Sequence, residues 1–218
     1  MTSRSEPDVI TAPMHEVLDA IESLDLDAPW SEVAPALRLV LPRRREMPVD
    51  ARDMPIQVFP PGIPVGLGLD IGPAMLFVIH EQLSAWGVAA DEAFEQALDN
   101  VRSSVGARRH FALVHERVGD IPTVAFQSRE GWASSLLLLP DELTRVFGER
   151  DGVILAPMRD LVLRLPLGTD RGFVHWLLDE SAAIDMNALD VPILVLDDGA
   201  LRPAVEVPVP PQGGALVH

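Results

Sequence analysis

The chain is expected to fold as α+β, with a mixed or antiparallel sheet flanked by helices and a short helical N-terminal appendage. Three observations predict this. Short β-like runs come in neighbouring pairs around turn residues, as at 108–128 and 153–165. Isolated amphipathic stretches of helical period lie between them, as at 91–105 and 173–184. No regular strand–helix–strand alternation links the runs, which argues against a parallel sheet.

The elements follow in order. Residues 1–10 are polar and aperiodic and read as a mobile tail. Thr11 and Pro13 open a helix with Met14, Val17, Leu18 and Ile21 at helical spacing. From Trp30 the chain passes from helix-like to strand-like around Pro35. Residues 43–52, charged and holding Pro48, read as a linker, so 11–52 forms the appendage and 53–207 the α+β domain. Runs 55–59 and 65–70 are strands divided by a Pro/Gly turn. Apolar residues at 75, 79, 83 and 86 predict one helix over 75–86, stopped by Gly87. Asp91 caps the next helix, whose apolar face is Phe94, Ala97, Leu98, Val101 and Val105. Residues 108–118 and 123–128 form a hairpin through Gly119-Asp120. Pro140 opens a helix, 153–157 and 161–165 are strands, 173–184 is a helix, and a hairpin around Gly199 closes the domain. Residues 208–218 are Pro/Gly-rich and read as a frayed tail.

Composition excludes more than it selects. At 218 residues with 48% apolar content, the chain buries roughly 70–75% of its unfolded surface on folding and needs no disulfide or metal for stability. It has no Cys, no Tyr and no Lys; all 17 basic residues are Arg. That removes Schiff-base and pyridoxal-phosphate chemistry, the P-loop and protein-kinase lysines, thiol nucleophiles and cysteine-ligated zinc. A net charge of −16 opposes nucleic acids and anionic membranes, and suits solubility or a basic protein partner. Arg43–Arg45 and Arg108–Arg109 read as solvated loop charges. The longest apolar runs fall far short of the ~20 residues of a membrane span, and the first ten residues lack a secretory profile. A cytoplasmic location is expected.

Several residues resemble the YtpQ family of bacterial proteins, also called DUF1444, over roughly residues 45–203. They are Leu69-Asp70, Glu81, Trp86-Gly87, the run Ala97-Leu98-Asp99-Asn100-Val101-Arg102-Ser103, Gly131-Trp132-Ala133-Ser134, Ala156-Pro157-Met158-Arg159-Asp160 and Val191-Pro192-Ile193. Relatives carry an Asp before the Ala-Ser pair and an Arg after it; here the Asp is missing and Ser135 replaces the Arg. The resemblance implies a fold and no reaction.

The best polar constellation is Asp70, Glu81, Asn100, Arg102 and Asp160. As a structural network, Arg102 binds a carboxylate bidentately and locks two helices together. As a functional one, Asp70, Glu81 and Asp160 converge as oxygen ligands or as the acid and base of a metal-assisted hydrolase. Other motifs are weaker. The glycines of 66–72 fall within a strand pattern, unlike a phosphate loop. His80-Glu81 lacks the second His of a zinc peptidase, since position 84 is Ser. His110 and His115 point to opposite faces of one strand. Ser134 lacks a nucleophile elbow and reads as a helix cap, joining Asn100 and Arg102 as a binding or structural polar residue. His175 reads as a hydrogen-bonded core edge. No metal and no cofactor are expected, and the expected role is non-catalytic binding of another protein.

Overall fold

A computed structural model describes residues 14–23, 25, 27–44, 53–72, 74–107, 111–128, 131–148, 151–185 and 187–204. The tails at 1–10 and 208–218, the cap at Thr11 and Pro13, most of the 43–52 linker, and Arg108–His110 lie outside the described residues.

The fold is α+β, built on two antiparallel sheets. In order come α1 (Met14–Ser23), α2 (Trp30–Val33), a 3-10 turn (Ala34–Ala36), β1 (Leu37–Val40), β2 (Gln57–Phe59), β3 (Ile63–Asp70), β4 (Met75–Phe77), α3 (His80–Trp86) and α4 (Ala90–Gly106). Then follow β5 (Phe111–Val118), β6 (Ile121–Ser128), a 3-10 helix (Ala133–Leu138), α5 (Pro140–Phe147), β7 (Gly152–Met158), β8 (Leu161–Leu165), α6 (Arg171–Ile184), β9 (Leu194–Asp197) and β10 (Ala200–Pro203). No helix among the described residues is long and apolar enough to cross a membrane.

In the first sheet β3 is central, paired antiparallel with β1 on one edge and with β2 and β4 on the other. The second sheet runs β10-β9-β7-β8-β6-β5, antiparallel throughout. Period-two alternation explains both. Ile63, Val65, Leu67 and Leu69 of β3 face one core with Leu37 and Leu39 of β1. Phe126, Ile154, Ala156, Val162, Leu194 and Leu196 bring the second sheet into that core, together with the buried face of α4. Each of the Val, Leu, Ile and Phe side chains among them contributes roughly 1.5–3 kcal/mol on burial. The opposite face of the second sheet packs Val153, Leu155, Leu163 and Leu165 under Val174 and Leu178 of α6.

In its elements the structure departs from sequence expectation as follows. Residues 75–86 are not one helix: Met75–Phe77 form β4, and α3 starts at His80, where Gln82 Oε1 accepts from the Ile79 N–H at 3.0 Å. The continuous apolar run 75–79 gains more by pairing with β3 than by continuing the helix. The N-cap of α4 is Ala89, with Asp91 and Glu92 inside the first turn, where the helix dipole favours them. His175 is exposed rather than at a core edge. The stretch 37–44, expected before the domain, is woven into it. β1 pairs with β3, and beyond it Arg43 bridges Leu189, whose N–H donates to the Pro157 carbonyl at 3.0 Å in β7.

Candidate functional site

The glycines around Asp70 serve packing. Gly66 and Gly68 alternate with the core-facing leucines of β3 and so line the sheet's outer face. A Cβ at Gly68 would meet Met75 Sδ at 2.8 Å and Val40 Cγ2 at 3.0 Å, so glycine leaves room for these two side chains from the flanking strands to close over β3. Asp70 ends the strand. Its Oδ1 accepts from the Gly72 N–H at 3.0 Å and shapes the turn into β4, while its Oδ2 sits 3.5 Å from Arg38 Nε on β1. A partly exposed pair at this separation contributes about 1 kcal/mol or less.

Asn100 is a pin between elements. Its Nδ2 donates to the carbonyls of Ala34 at 2.8 Å and Leu37 at 3.0 Å, and its Oδ1 accepts from Gln96 Nε2 at 3.0 Å. One side chain of α4 therefore fixes the 3-10 turn that launches β1. Arg102 does not lock two helices: its Nη1 pairs with Asp99 at 2.6 Å on the same helix, and both groups are largely exposed. On α4 the residue two beyond Asn100 points away from β1, so the bidentate partner expected from another helix is out of reach. Glu81 is exposed in the first turn of α3.

Ser134 is not a helix cap. It lies inside the 3-10 helix, fully buried, and its Oγ has no hydrogen-bond partner, while its N–H donates to the Arg159 carbonyl at 3.0 Å. The capping role belongs to Ser128, whose Oγ accepts from the N–H groups of Trp132 at 3.0 Å and Ala133 at 3.1 Å. No sequence motif marked Ser128; a serine ahead of Gly131 and a run of small residues is the only hint.

Asp160 sits in the turn between β7 and β8, beside groups that composition alone dismissed. Burial pushes its carboxyl above the usual carboxylate range, and Asp185 adds to this while Arg159 and a backbone N–H oppose it. Arg43 is half-buried rather than a solvated loop charge, because the extension of β1 tucks it against Leu189. Burial holds its guanidinium below the ordinary value, with Arg159 adding and Asp185 opposing. Its guanidinium carbon lies 5.7 Å from the Phe77 ring centre, and Arg159 Nη1 lies 3.7 Å from Met75 Sδ, so both cations rest on β4. Among the described residues no group of three or more His, Asp or Glu side chains is close enough to hold a metal ion; Asp70, Glu81 and Asp160 are not gathered into one.

Two concavities flank the end of the second sheet. One, of about 330 Å³, is lined by His115, Glu116, Thr123, Asp151 and Arg164 among others. Arg164 is committed there, its Nη1 donating to the Phe147 carbonyl at 2.8 Å. The other, of about 520 Å³, is a groove of mixed polar and apolar lining between α4, β5 and α5, formed by Val105, Gly106, Phe111, Leu113, Arg145 and Val146. It runs alongside β5, an eight-residue strand at the end of the sheet whose outer edge pairs with no strand among the described residues. Leu113 is 40% exposed in it. Sequence alternation located β5 but could not show that it would be an edge, nor that helices from elsewhere would wall a groove beside it.

No family model, curated protein or solved structure matches the chain.

Proposed function

We propose that this chain is a non-catalytic cytoplasmic protein that acts by binding another protein, and that the partner docks on the outer edge of β5. The observation that carries this is the meeting of an eight-residue strand edge, which pairs with no strand among the described residues, with a partly apolar groove of about 520 Å³ along it. An edge strand offers main-chain donors and acceptors for affinity, and a bordering groove takes alternate side chains for specificity. Edge strands left open are otherwise aggregation hazards, which gives a partner a physical reason to cover this one. Kinship with the YtpQ family is likewise proposed, on the residues from Leu69-Asp70 to Val191-Pro192-Ile193 alone.

The metal-assisted hydrolase has less support. It needs Asp70, Glu81 and Asp160 around one centre, whereas Asp70 is engaged by Arg38 and the Gly72 N–H, and Glu81 stands exposed on α3. The test is capture from cells after crosslinking, run in parallel with wild type and Leu113→Asp. A partner enriched by wild type and lost with the folded variant is the expected result. No specific partner, or the same partner retained by both, would reject the docking site.

A further inference from the structure

We propose that Arg43 and Arg159 together form a binding site for a carboxylate ligand on the outer face of the first sheet. The site is separate from the β5 edge and does not depend on the docking proposed there.

Four arginines are half-buried among the described residues: Arg38, Arg43, Arg159 and Arg164. Arg38 donates to the carbonyls of Pro35 and Leu37, and Arg164 to that of Phe147. Arg43 and Arg159 differ. Among the described residues no oxygen accepts from either guanidinium, and neither joins an ion pair; Arg159 Nη1 meets Met75 Sδ, and Arg43 lies against the Phe77 ring. A guanidinium carries five N–H donors and keeps its charge at any ordinary pH. Half-buried without an acceptor, such a group is costly to hold.

The two are also neighbours. Met75 and Phe77 are two apart on β4, so they share one face of the strand. It is the outer face, since Phe77 pairs with Gly68 and Met75 packs over that glycine. The cations resting on these side chains repel each other, and Arg159 adds to the burial that holds Arg43 below its ordinary value.

The backbone braces this arrangement from two sides. Arg43 bridges Leu189, whose N–H donates to the Pro157 carbonyl two residues before Arg159. The Arg159 carbonyl in turn accepts from the Ser134 N–H. Gly131, at φ +66°, gives the Arg159 guanidinium its place: a Cβ there would lie 2.6 Å from both Nε and Nη2. Both cations are thus positioned before any ligand arrives, which cuts the ordering cost of binding.

Chemistry selects the ligand. A guanidinium fork matches a planar oxyanion, and one carboxylate can accept from two forks at once. Asp160 and Asp185 act on the pair from beyond ion-pair range. Their negative charge penalises a second charge on the ligand, so a singly charged carboxylate suits the site better than phosphate.

The experiment records arginine Nε–Hε NMR correlations of the full chain at pH 7 and constant ionic strength. Sodium acetate, N-acetyltriglycine, inorganic phosphate and chloride are titrated in turn. Acetate should move the Arg43 and Arg159 resonances together, saturating at a concentration roughly tenfold below that which moves exposed Arg171. Phosphate should bind more weakly than acetate, and chloride should leave both resonances in place. Arg43→Gln should abolish the saturable response of Arg159, and Arg159→Lys, which keeps the charge and loses the fork, should weaken acetate by roughly tenfold. Neither variant removes a hydrogen bond to oxygen, so both should keep the wild-type far-UV spectrum. Tighter N-acetyltriglycine than acetate would identify a chain terminus as the source of the carboxylate, and the reverse a small acid; either bears out the carboxylate site. Arg43 and Arg159 responding no sooner than Arg171, phosphate binding more tightly than acetate, or an unchanged Arg159 response in Arg43→Gln would overturn the inference.

Discussion

Replacing Asn100 with Ala is the sharpest test of what the polar residues near α4 do. The side chain gives two hydrogen bonds to the carbonyls of Ala34 and Leu37, both on buried residues. A buried carbonyl left with no partner costs about 1–3 kcal/mol. Neither is left so, because Ala34 O also accepts from the Leu37 N–H and Leu37 O from Arg38 Nη1 at 2.9 Å. The i,i+4 bond from Gln96 adds at most about 0.5 kcal/mol, so the loss is chiefly the net worth of the two inter-element bonds, about 1 kcal/mol each, or about 2 kcal/mol in total. For a chain of this length that lowers Tm by about 4–8 °C. Urea unfolding followed by far-UV circular dichroism measures it as a fall in midpoint at constant slope. Arg102→Ala is the matched control. With Arg102 43% and Asp99 64% exposed, it should change stability by less than about 0.5 kcal/mol. An Asn100→Ala loss under about 0.5 kcal/mol, or a larger loss for Arg102→Ala, would refute the pin.

The same logic separates two serines. Ser128→Ala strands the buried N–H groups of Trp132 and Ala133 and should cost about 2–4 kcal/mol, whereas Ser134→Ala removes a hydroxyl with no partner and should be neutral or stabilising by up to about 1 kcal/mol; thermal melts of the pair decide. Gly68→Val drives a branched side chain into Met75 and Val40 and should destabilise by about 1–3 kcal/mol through overpacking, seen as a lower urea midpoint. Folding raises the proton affinity of Asp160, so its contribution is fully present below the ordinary carboxylate value near 3.9 and is lost as pH climbs through the raised one. Asp160→Asn escapes that loss, so Tm of the variant minus Tm of wild type should grow more positive from pH 3 to pH 7; a flat difference would mean that Asp160 titrates normally.

What the sequence made legible was local. The α4 face of Phe94, Ala97, Leu98, Val101 and Val105 is buried as its spacing implied, and the Gly119-Asp120 turn joins the expected hairpin. Period and turn chemistry act over a few residues, so they survive without tertiary knowledge. Where tertiary pairing competes, local reading fails. The run 75–79 satisfied a helical template, yet β3 offered it an open edge. Asn100 was marked as a polar residue on a helix flank, but the carbonyls it pins lie more than 60 positions away. Arg43 looked solvated in a basic run and is half-buried only because residues near Leu189 return to cover it. The groove beside β5 joins α4, β5 and α5, and no spacing along one strand can reveal such a wall.

Residue-resolved amide exchange by NMR tests the docking edge most directly. In the free protein, amides of Ala112, Val114 and Glu116 should be protected by the β6 ladder, while those of Leu113, His115 and Arg117 exchange quickly. Adding the captured partner should slow the odd-numbered amides and leave the even ones as they were. Unchanged exchange at Leu113, His115 and Arg117 with the partner bound would place it elsewhere and contradict strand addition.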